Sequence, residues 1–171
     1  MSTILAWFFY DFQYFATIQS MKNEELIDIC DETGVLTGEV QTRTVVHAQG
    51  LWHRSVHVWF VNGAQELLLQ QRSMDKESYP GMWDISAAGH MSAGDDIVEA
   101  AIRETQEEIG VTVEAKDLVH VGTYTHKATL NEGTYFCNGV KEVFIVHGEH
   151  ALDEFVFTDG EVLQVQWIPA V

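Results

Sequence analysis

Residues 89–111 read GHMSAGDDIVEAAIRETQEEIGV, and this stretch decides the fold of the chain. After a start with glycine and small polar residues, the spacing predicts a helix over residues 95–109. On a helix that turns about 100° per residue, Glu104, Glu107 and Glu108 share one face. Another face suits packing on a sheet and carries Val98, Ile102, Thr105 and Ile109. We therefore expect a helix that packs on a sheet and leaves its glutamates open to solvent and ligands.

The three glutamates predict a cation site. Carboxylates clustered on one helical face repel one another, and a bound hard cation that prefers oxygen ligands, Mg²⁺ or Mn²⁺, is the simplest explanation of the cluster. A solvated acidic face is the alternative, and it is the usual reading of an arbitrary helix rich in glutamate.

The spacing of these residues resembles the signature of the Nudix hydrolases. That signature is Gly, five residues, Glu, seven residues, then Arg-Glu-aliphatic-any-Glu-Glu-any-Gly-aliphatic. The positions that match in register are Gly89, Arg103, Glu104, Glu107, Glu108, Gly110 and Val111. Asp95 stands at the first Glu with a shorter side chain, and Thr105 stands at an aliphatic position.

The rest of the chain is mostly β in pattern. Strands are predicted at residues 53–61, 66–71, 85–88, 117–126, 140–147 and 162–168, and residues 41–47 have a β-branched alternation that extends the β pattern. Asn62-Gly63 predicts a hairpin turn, and residues 127–139 are expected to form a connecting loop. Strands around one long helix predict an α/β layer fold with a mixed sheet. The resemblance sharpens this expectation to a Nudix-like α/β/α sandwich with one long catalytic helix.

Length and charge bound the function. At 171 residues the chain has the size of one domain with one core. A formal net charge of -17 would repel a polyphosphate backbone, which argues against a nucleic-acid binder. Cys30 and Cys137 are the only cysteines, and we expect them to be reduced thiols in a cytoplasmic protein.

The first 20 residues differ from the rest, because they contain seven aromatic residues and neither Lys nor Arg. The apolar run at residues 4–10 is too short to span a membrane. We expect residues 1–20 to be a dispensable extension, translated from an upstream start, and residues 21–171 to form the functional domain. An aromatic patch that binds a partner or a membrane surface is the alternative.

Residues 47–90 also resemble the isopentenyl-diphosphate isomerases. In that family an Arg and a Lys at the positions of Arg72 and Lys76 hold the substrate diphosphate, so the resemblance implies the same role here. The isomerases use a cysteine just before their Gly-His pair, where this chain has Ala88, and closely spaced glutamates on a later strand, where Glu142 alone remains. Three histidines resemble metal ligands of the isomerases, although we favour structural roles for them: His47, His53 and His90.

The resemblance implies a metal-dependent hydrolase that cleaves the diphosphate of a nucleoside diphosphate linked to a group X. Glu104, Glu107 and Glu108 would hold Mg²⁺ or Mn²⁺, together with a backbone carbonyl near Gly89. Arg103 is expected to orient the glutamates by pairing within the helix, for instance with Glu99. Glu161, in a loop before the last strand, is the candidate for a further catalytic base, and the choice between it and a helix glutamate stays open.

Two rival functions remain open. An isomerase of allylic diphosphates is disfavoured by Ala88, and a non-catalytic binding module gains weight because the chain stops right after the last predicted strand. The expected partner is a small diphosphate substrate, with neither nucleic acid nor membrane. The identity of X and the choice between a monomer and a homodimer are left open.

Overall fold

The computed structural model describes residues 24–158 and 160–170, so the aromatic segment at residues 1–20 and its predicted role lie outside it. The described chain has two α-helices, α1 (Arg43–Gln49) and α2 (Ile97–Ile109). Its strands are β1 (Leu26–Cys30), β2 (Leu36–Thr42), β3 (Trp52–Val61), β4 (Glu66–Arg72), β5 (Trp83–Asp84), β6 (Ala87–His90), β7 (Leu118–Leu130), β8 (Tyr135–His147) and β9 (Val162–Pro169). Neither described helix is long and apolar enough to cross a membrane.

Strand β3 is the centre of a mixed sheet. It pairs in parallel with β8 along its whole length and antiparallel with β6. Strand β7 continues the sheet beyond β8, and β4 joins β3 to β9 and β5. Strands β1 and β2 form an antiparallel pair that meets β3 at a single residue pair, Ile29 and His53. The predicted mixed sheet is confirmed.

Helix α2 forms where the sequence predicts it. Asp96 caps its start, because the side chain accepts a hydrogen bond from the Val98 N–H at 2.8 Å. Gly110 ends it in the left-handed conformation, with φ of 72°. Its buried face packs on the sheet through Ala101, Thr105 and other small or apolar side chains, against a core that includes Val56, Phe60 and Phe144.

Two predicted segments are wrong. Of the predicted β segment at residues 41–47, residues 43–47 are instead helical, because α1 begins at Arg43 and ends at Gly50 in the left-handed conformation. The helix buries Val46 beside Ile27 of β1, and this tertiary packing outweighs the strand propensity of its β-branched residues. The predicted loop at residues 127–139 is instead the tip of a long hairpin, whose turn is confined to Asn131–Gly133.

Candidate active site

A cavity of about 990 Å³ opens over one face of the sheet. Helix α2 borders it on one side, the segment that follows β4 borders it on another, and the floor consists of β3, β6, β7 and β8. Its lining includes seven of the residues predicted to act at the site: Arg72, Lys76, Gly89, Arg103, Glu104, Glu107 and Glu161. The structure therefore brings distant parts of the chain to one place.

Gly89 and Glu104 are in direct contact at the end of β6. A Cβ placed on Gly89 would overlap the Glu104 carboxylate, so no residue other than glycine fits without moving that side chain. The glutamate is 8% exposed and fills the space that a larger residue would take. The glycine of the signature thus has a steric reason in this fold.

Arg103 binds carboxylates from two directions. Its guanidinium donates to Glu104 at 2.6 Å, to Glu107 at 3.3 Å and to Asp95 at 3.0 Å. It also donates to the backbone carbonyl of His90 at 3.1 Å, which ties α2 to the end of β6. The expected pairing of Arg103 within the helix is confirmed for Glu104 and Glu107, whereas Glu99, named as an instance, is not a partner. Asp95 is an additional partner, because the loop before α2 lies close to the arginine.

The shorter side chain of Asp95 is long enough for this role. Its carboxylate accepts from Arg103 and also from the backbone N–H of Ser92 at 3.0 Å. It therefore acts as a salt-bridge partner that holds the loop in front of α2. The departure from the signature at this position keeps the ion pair.

The glutamates of α2 are less open than the sequence predicts. Glu107 keeps a side chain that is 54% exposed, whereas Glu104 and Glu108 are buried. Burial raises the pKa of Glu104 to about 8, although Arg103 opposes that shift. Burial also raises the pKa of Glu108 to about 7. The expectation of a solvent-exposed glutamate face is therefore wrong for two of the three, because α2 lies closer to β6 than a surface helix would.

Glu108 is held behind the cavity wall by two donors. One carboxylate oxygen accepts from the Gln70 side chain at 2.6 Å and from the Ala88 N–H at 2.8 Å. Its second oxygen has no hydrogen-bond partner among the described residues, so it is available to another ligand. Gln70 is 1% exposed. The sequence does not identify it as a site residue, because nothing near a glutamine on a strand indicates which distant side chain it will contact.

The donor set at this end of the cavity suits a hard divalent cation. It consists of carboxylate oxygens on Glu104, Glu107 and Glu108 beside the backbone of Gly89, which is the oxygen-rich chemistry that Mg²⁺ and Mn²⁺ prefer. A cation would also offset the cost of ionising the buried Glu104. The residues present therefore fit the implied metal.

Two cationic side chains lie across the cavity, Arg72 at the end of β4 and Lys76 in the segment that follows it. Arg72 donates to Asp84 at 3.1 Å and to the Ser78 backbone and hydroxyl at 3.0 Å each. Lys76 forms an ion pair with Glu161. These contacts fix both cations on the cavity wall, where the sequence predicts a diphosphate-binding pair.

Three histidines meet around His90, the last residue of β6. The ligand nitrogens of His47, His53 and His90 all lie within 4.8 Å of one another. His47 and His53 each donate Nδ1–H to a backbone carbonyl, at 2.9 and 3.0 Å, which leaves Nε2 as an acceptor. Burial lowers the pKa of His53 to about 4 and that of His47 as well, which favours their neutral forms. The group could hold a cation, and its predicted structural role remains a prediction.

Glu142 faces away from this cavity. Its carboxylate binds Arg54 at 3.1 Å, His120 at 3.0 Å and Thr123 at 2.7 Å, on the face of β8 opposite to Lys141. Ala88 has no group that could exchange a proton with carbon. Both positions at which the isomerase chemistry would need a reactive side chain are therefore without one on the cavity side.

Known proteins resemble this chain in sequence and in fold. The NUDIX domain profile matches residues 51–170. Nudix hydrolase 3 of Arabidopsis thaliana is 40% identical over 149 residues, a match that covers 85% of this chain and 19% of that much longer protein. Isopentenyl-diphosphate Delta-isomerase of Escherichia coli is 31% identical over 147 residues, 86% of this chain and 78% of the isomerase. A crystal structure of a Deinococcus radiodurans protein has a TM-score of 0.63 at 20% identity, and covers 85% of this chain and 83% of the other.

The profile match includes β6, the loop before α2 and the whole of α2, which carry the glycine, arginine and glutamates of the site. The fold agrees as well, since the mixed sheet with its packed helices is the expected α/β/α arrangement. The chain therefore belongs to the Nudix family.

Proposed function

We propose that the chain is a divalent-metal-dependent hydrolase that cleaves the diphosphate bond of a nucleoside diphosphate linked to a group X. The observation that supports this proposal most directly is that one cavity has negatively charged side chains on one side and positively charged side chains on another. Carboxylates of α2 stand on one side, and Arg72 and Lys76 stand on another. A diphosphate bridged to the carboxylates by Mg²⁺ or Mn²⁺ would satisfy both sets.

Glu104, Glu107 and Glu108 are the proposed ligands of the cation, with the backbone carbonyl of Gly89. When bound, the cation would neutralise phosphate charge and lower the pKa of an attacking water. Arg103 and the contact with Gly89 already fix the side chain of Glu104. Binding of the cation would therefore cost little additional conformational entropy at this residue. Arg103 is a positioning residue in this scheme, because each of its contacts is to a protein group.

Arg72 and Lys76 are the proposed diphosphate clamp. The guanidinium of Arg72 is oriented by Asp84 and Ser78, which suits bidentate binding of phosphate oxygens. Lys76 adds a compact charge beside Glu161. In a protein with a net charge of -17, such placed cations are needed to bring an anionic substrate into the cavity.

Glu107 and Glu161 are the two proposed acceptors of the proton of the attacking water. Both line the cavity, and both have exposed side chains, 54% and 42% respectively. Glu161 reaches the cavity from the start of β9, beside Lys76 of the proposed clamp. A separate substitution of each carboxylate distinguishes the two.

An apolar rim offers a surface for the planar base of the nucleotide. Tyr79, Met82 and Trp83 line the cavity and are 49%, 57% and 42% exposed. Exposed aromatic and thioether side chains at a cavity mouth suit stacking on a flat ring. We expect the nucleoside to lie here and X to extend over the sheet floor.

The test is a substrate panel. Purified protein is incubated with nucleotide and isoprenoid diphosphates in Mg²⁺ or Mn²⁺, beside a Glu107→Gln, Glu108→Gln double variant. We expect turnover of at least one nucleoside diphosphate compound, dependent on added metal and lost in the double variant. Glu99→Gln is the matched control, since Glu99 lies on the same helix outside the cavity lining. Turnover no higher than that of the double variant on every compound would refute the hydrolase.

A further inference from the structure

Four neighbouring strands place Tyr124, Lys141, Ser55 and His90 side by side across the sheet. Lys141 of β8 pairs with Tyr124 of β7 and with Ser55 of β3, and Ser55 pairs with His90 of β6. Paired residues project to the same face of a sheet, and all four line the cavity. This row forms the cavity floor. It lies on four strands of the sheet, whereas the glutamates lie on helix α2.

Two polar groups in this row lack a partner among the described residues: the fully buried Ser55 hydroxyl, and the ammonium of Lys141, whose largely buried side chain lines the cavity. Lys141 is 9% exposed, and its ammonium makes no hydrogen bond or ion pair with another residue in the described part of the chain. Ser55 is 3% exposed, and its hydroxyl likewise lacks a hydrogen-bond partner within the described residues. Buried donors of this kind are costly unless something binds them. Both therefore point to a ligand on the cavity floor.

The charge around Lys141 selects the sign of that ligand. Among the described residues, the carboxylate that interacts electrostatically with Lys141 is that of Asp84. Asp84 is already paired with Arg72 at 3.1 Å. His57 and the three clustered histidines all feel the positive charge of Lys141. A cation next to Lys141 would be repelled, whereas an anion would gain an ion pair in a partly desolvated place.

The backbone of β8 is suited to this position of the lysine. A Cβ on Gly139 would lie 2.8 Å from Cε and 2.9 Å from Nζ of Lys141. The side chain therefore lies back along its own strand over Gly139, toward the part of the floor where β7, β8 and β3 adjoin. A larger residue at Gly139 would displace the ammonium.

We propose that Lys141 and Ser55 form an oxyanion subsite on the cavity floor, which binds a negatively charged group of X, either a phosphate or a carboxylate. This assignment to X rests on the proposed hydrolase function and narrows its substrates to diphosphate compounds with a second anionic group. The subsite itself can be tested without turnover.

The experiment titrates the full chain with inorganic phosphate and, separately, with acetate, in EDTA and at constant ionic strength set by chloride. Binding is followed by calorimetry and by amide chemical shifts in NMR spectra. We expect Lys141→Met to weaken binding about tenfold or more, since a charge-assisted hydrogen bond is lost. Ser55→Ala and Gly139→Ala should each weaken it by a smaller factor. Lys116→Met, which removes a 73% exposed lysine, is the charge-matched control and should bind as the unmodified protein does.

Tighter binding of phosphate than of acetate assigns a phosphate to the subsite, and the reverse assigns a carboxylate. Equal binding by Lys141→Met and the unmodified protein would overturn the proposal. It would also be overturned if Arg72→Ala removed the same binding, because the anion would then occupy the diphosphate clamp. A failed hydrolase assay leaves these readouts unaffected, so the two proposals fail separately. If Lys141→Met does not fold, Ser55→Ala and Gly139→Ala decide between the same outcomes.

Discussion

The backbone of Gly89 at the end of β6 lies against the carboxylate of Glu104 on α2, with no room for a Cβ between them. This contact joins the first glycine of the Nudix signature to its first helical glutamate, which are far apart along the helix-forming stretch. It also explains the burial of Glu104, since the strand end covers the carboxylate.

Gly89→Ala should lower kcat by about 100-fold or more, because a displacement of roughly 1 Å at a catalytic group has that effect. The added methyl group must push Glu104 out of its place. The measurement is steady-state turnover on the substrate found in the panel. Gly63→Ala is the control, since its Cβ would meet the movable end of the exposed Glu149 side chain. Full activity of Gly89→Ala would show that the contact is unimportant.

The free energy of unfolding in EDTA should fall as the pH rises from about 6.5 to 8.5. Burial raises the pKa of Glu104 to about 8 and that of Glu108 to about 7. A carboxyl whose pKa is raised by folding contributes stability below its unfolded pKa, and that stability is lost as the pH rises through the folded value. The loss should be of the order of 1 kcal/mol or more.

The histidines contribute to the pH dependence only at lower pH, so above about pH 6.5 the carboxyl effect is observed without them. Burial lowers the pKa values of His53 and His57 to about 4, so they destabilise the fold only as the pH falls below about 6.5. Urea unfolding at several pH values measures both effects. Glu104→Gln should flatten the slope above pH 6.5, and Mg²⁺ should stabilise more at pH 8.5 than at pH 6.5, since metal ligands must be deprotonated. A rise in stability above pH 6.5 in EDTA would contradict the prediction.

Arg103→Lys should reduce activity or metal affinity by about 10- to 100-fold, the usual effect of losing a group that orients metal ligands. A single ammonium cannot reach Asp95, Glu104 and the His90 carbonyl together, as the forked guanidinium does. Metal titrations of activity measure both quantities. Arg54→Lys is the control, because Arg54 binds Glu142 on the other face of the sheet. Equal loss in both variants would point to a general effect on folding.

Glu161→Gln should lower kcat by about 100- to 10,000-fold if this residue takes the proton from water, as expected for a general base. Glu107→Gln would then mainly raise the concentration of metal ion that is required for activity. Lys76→Met should instead raise KM by about 10- to 100-fold, since a charged hydrogen bond to the diphosphate is lost. If Glu161→Gln raises KM alone, Glu161 serves only to hold Lys76, and the base is Glu107.

Ala88→Cys should not create isomerase activity. It restores the thiol, but Glu142 remains on the opposite face of β8, bound by Arg54, His120 and Thr123. Incubation of the variant with either C5 diphosphate isomer, followed by product analysis, tests this expectation. Interconversion of the isomers would show that another group on the cavity floor can replace the glutamate.

Helix α2 was predictable because its signals are local. The Asp96 cap, the Gly110 stop and the apolar period all lie within one stretch, and each acts over one or two turns. The hairpin at Asn62-Gly63 was predictable for the same reason. Helix α1 was not, since its β-branched residues become helical only when Val46 packs on β1.

The sequence also did not predict that Asp95 would pair with Arg103 or which face of the sheet Glu142 would lie on. Glu99 and Asp95 are both near Arg103 along the chain, and only the path of the loop beside β6 selects Asp95. For Glu142 and Lys141, alternation along β8 places them on opposite faces, but nothing local says which face covers the cavity.

The sequence by itself determined the chemistry available at the site: the glutamates of α2, the cations Arg72 and Lys76, and a glycine at residue 89. These features could be predicted because the formation of a helix or a turn depends mainly on residues that are close together in the chain. Only the tertiary structure decided which of these groups are buried, which are paired, and that Lys141 and Ser55 lie on the same floor with no partner among residues 24–158 and 160–170. Those properties arise from strand register and from contacts between distant segments, which no short stretch of sequence encodes.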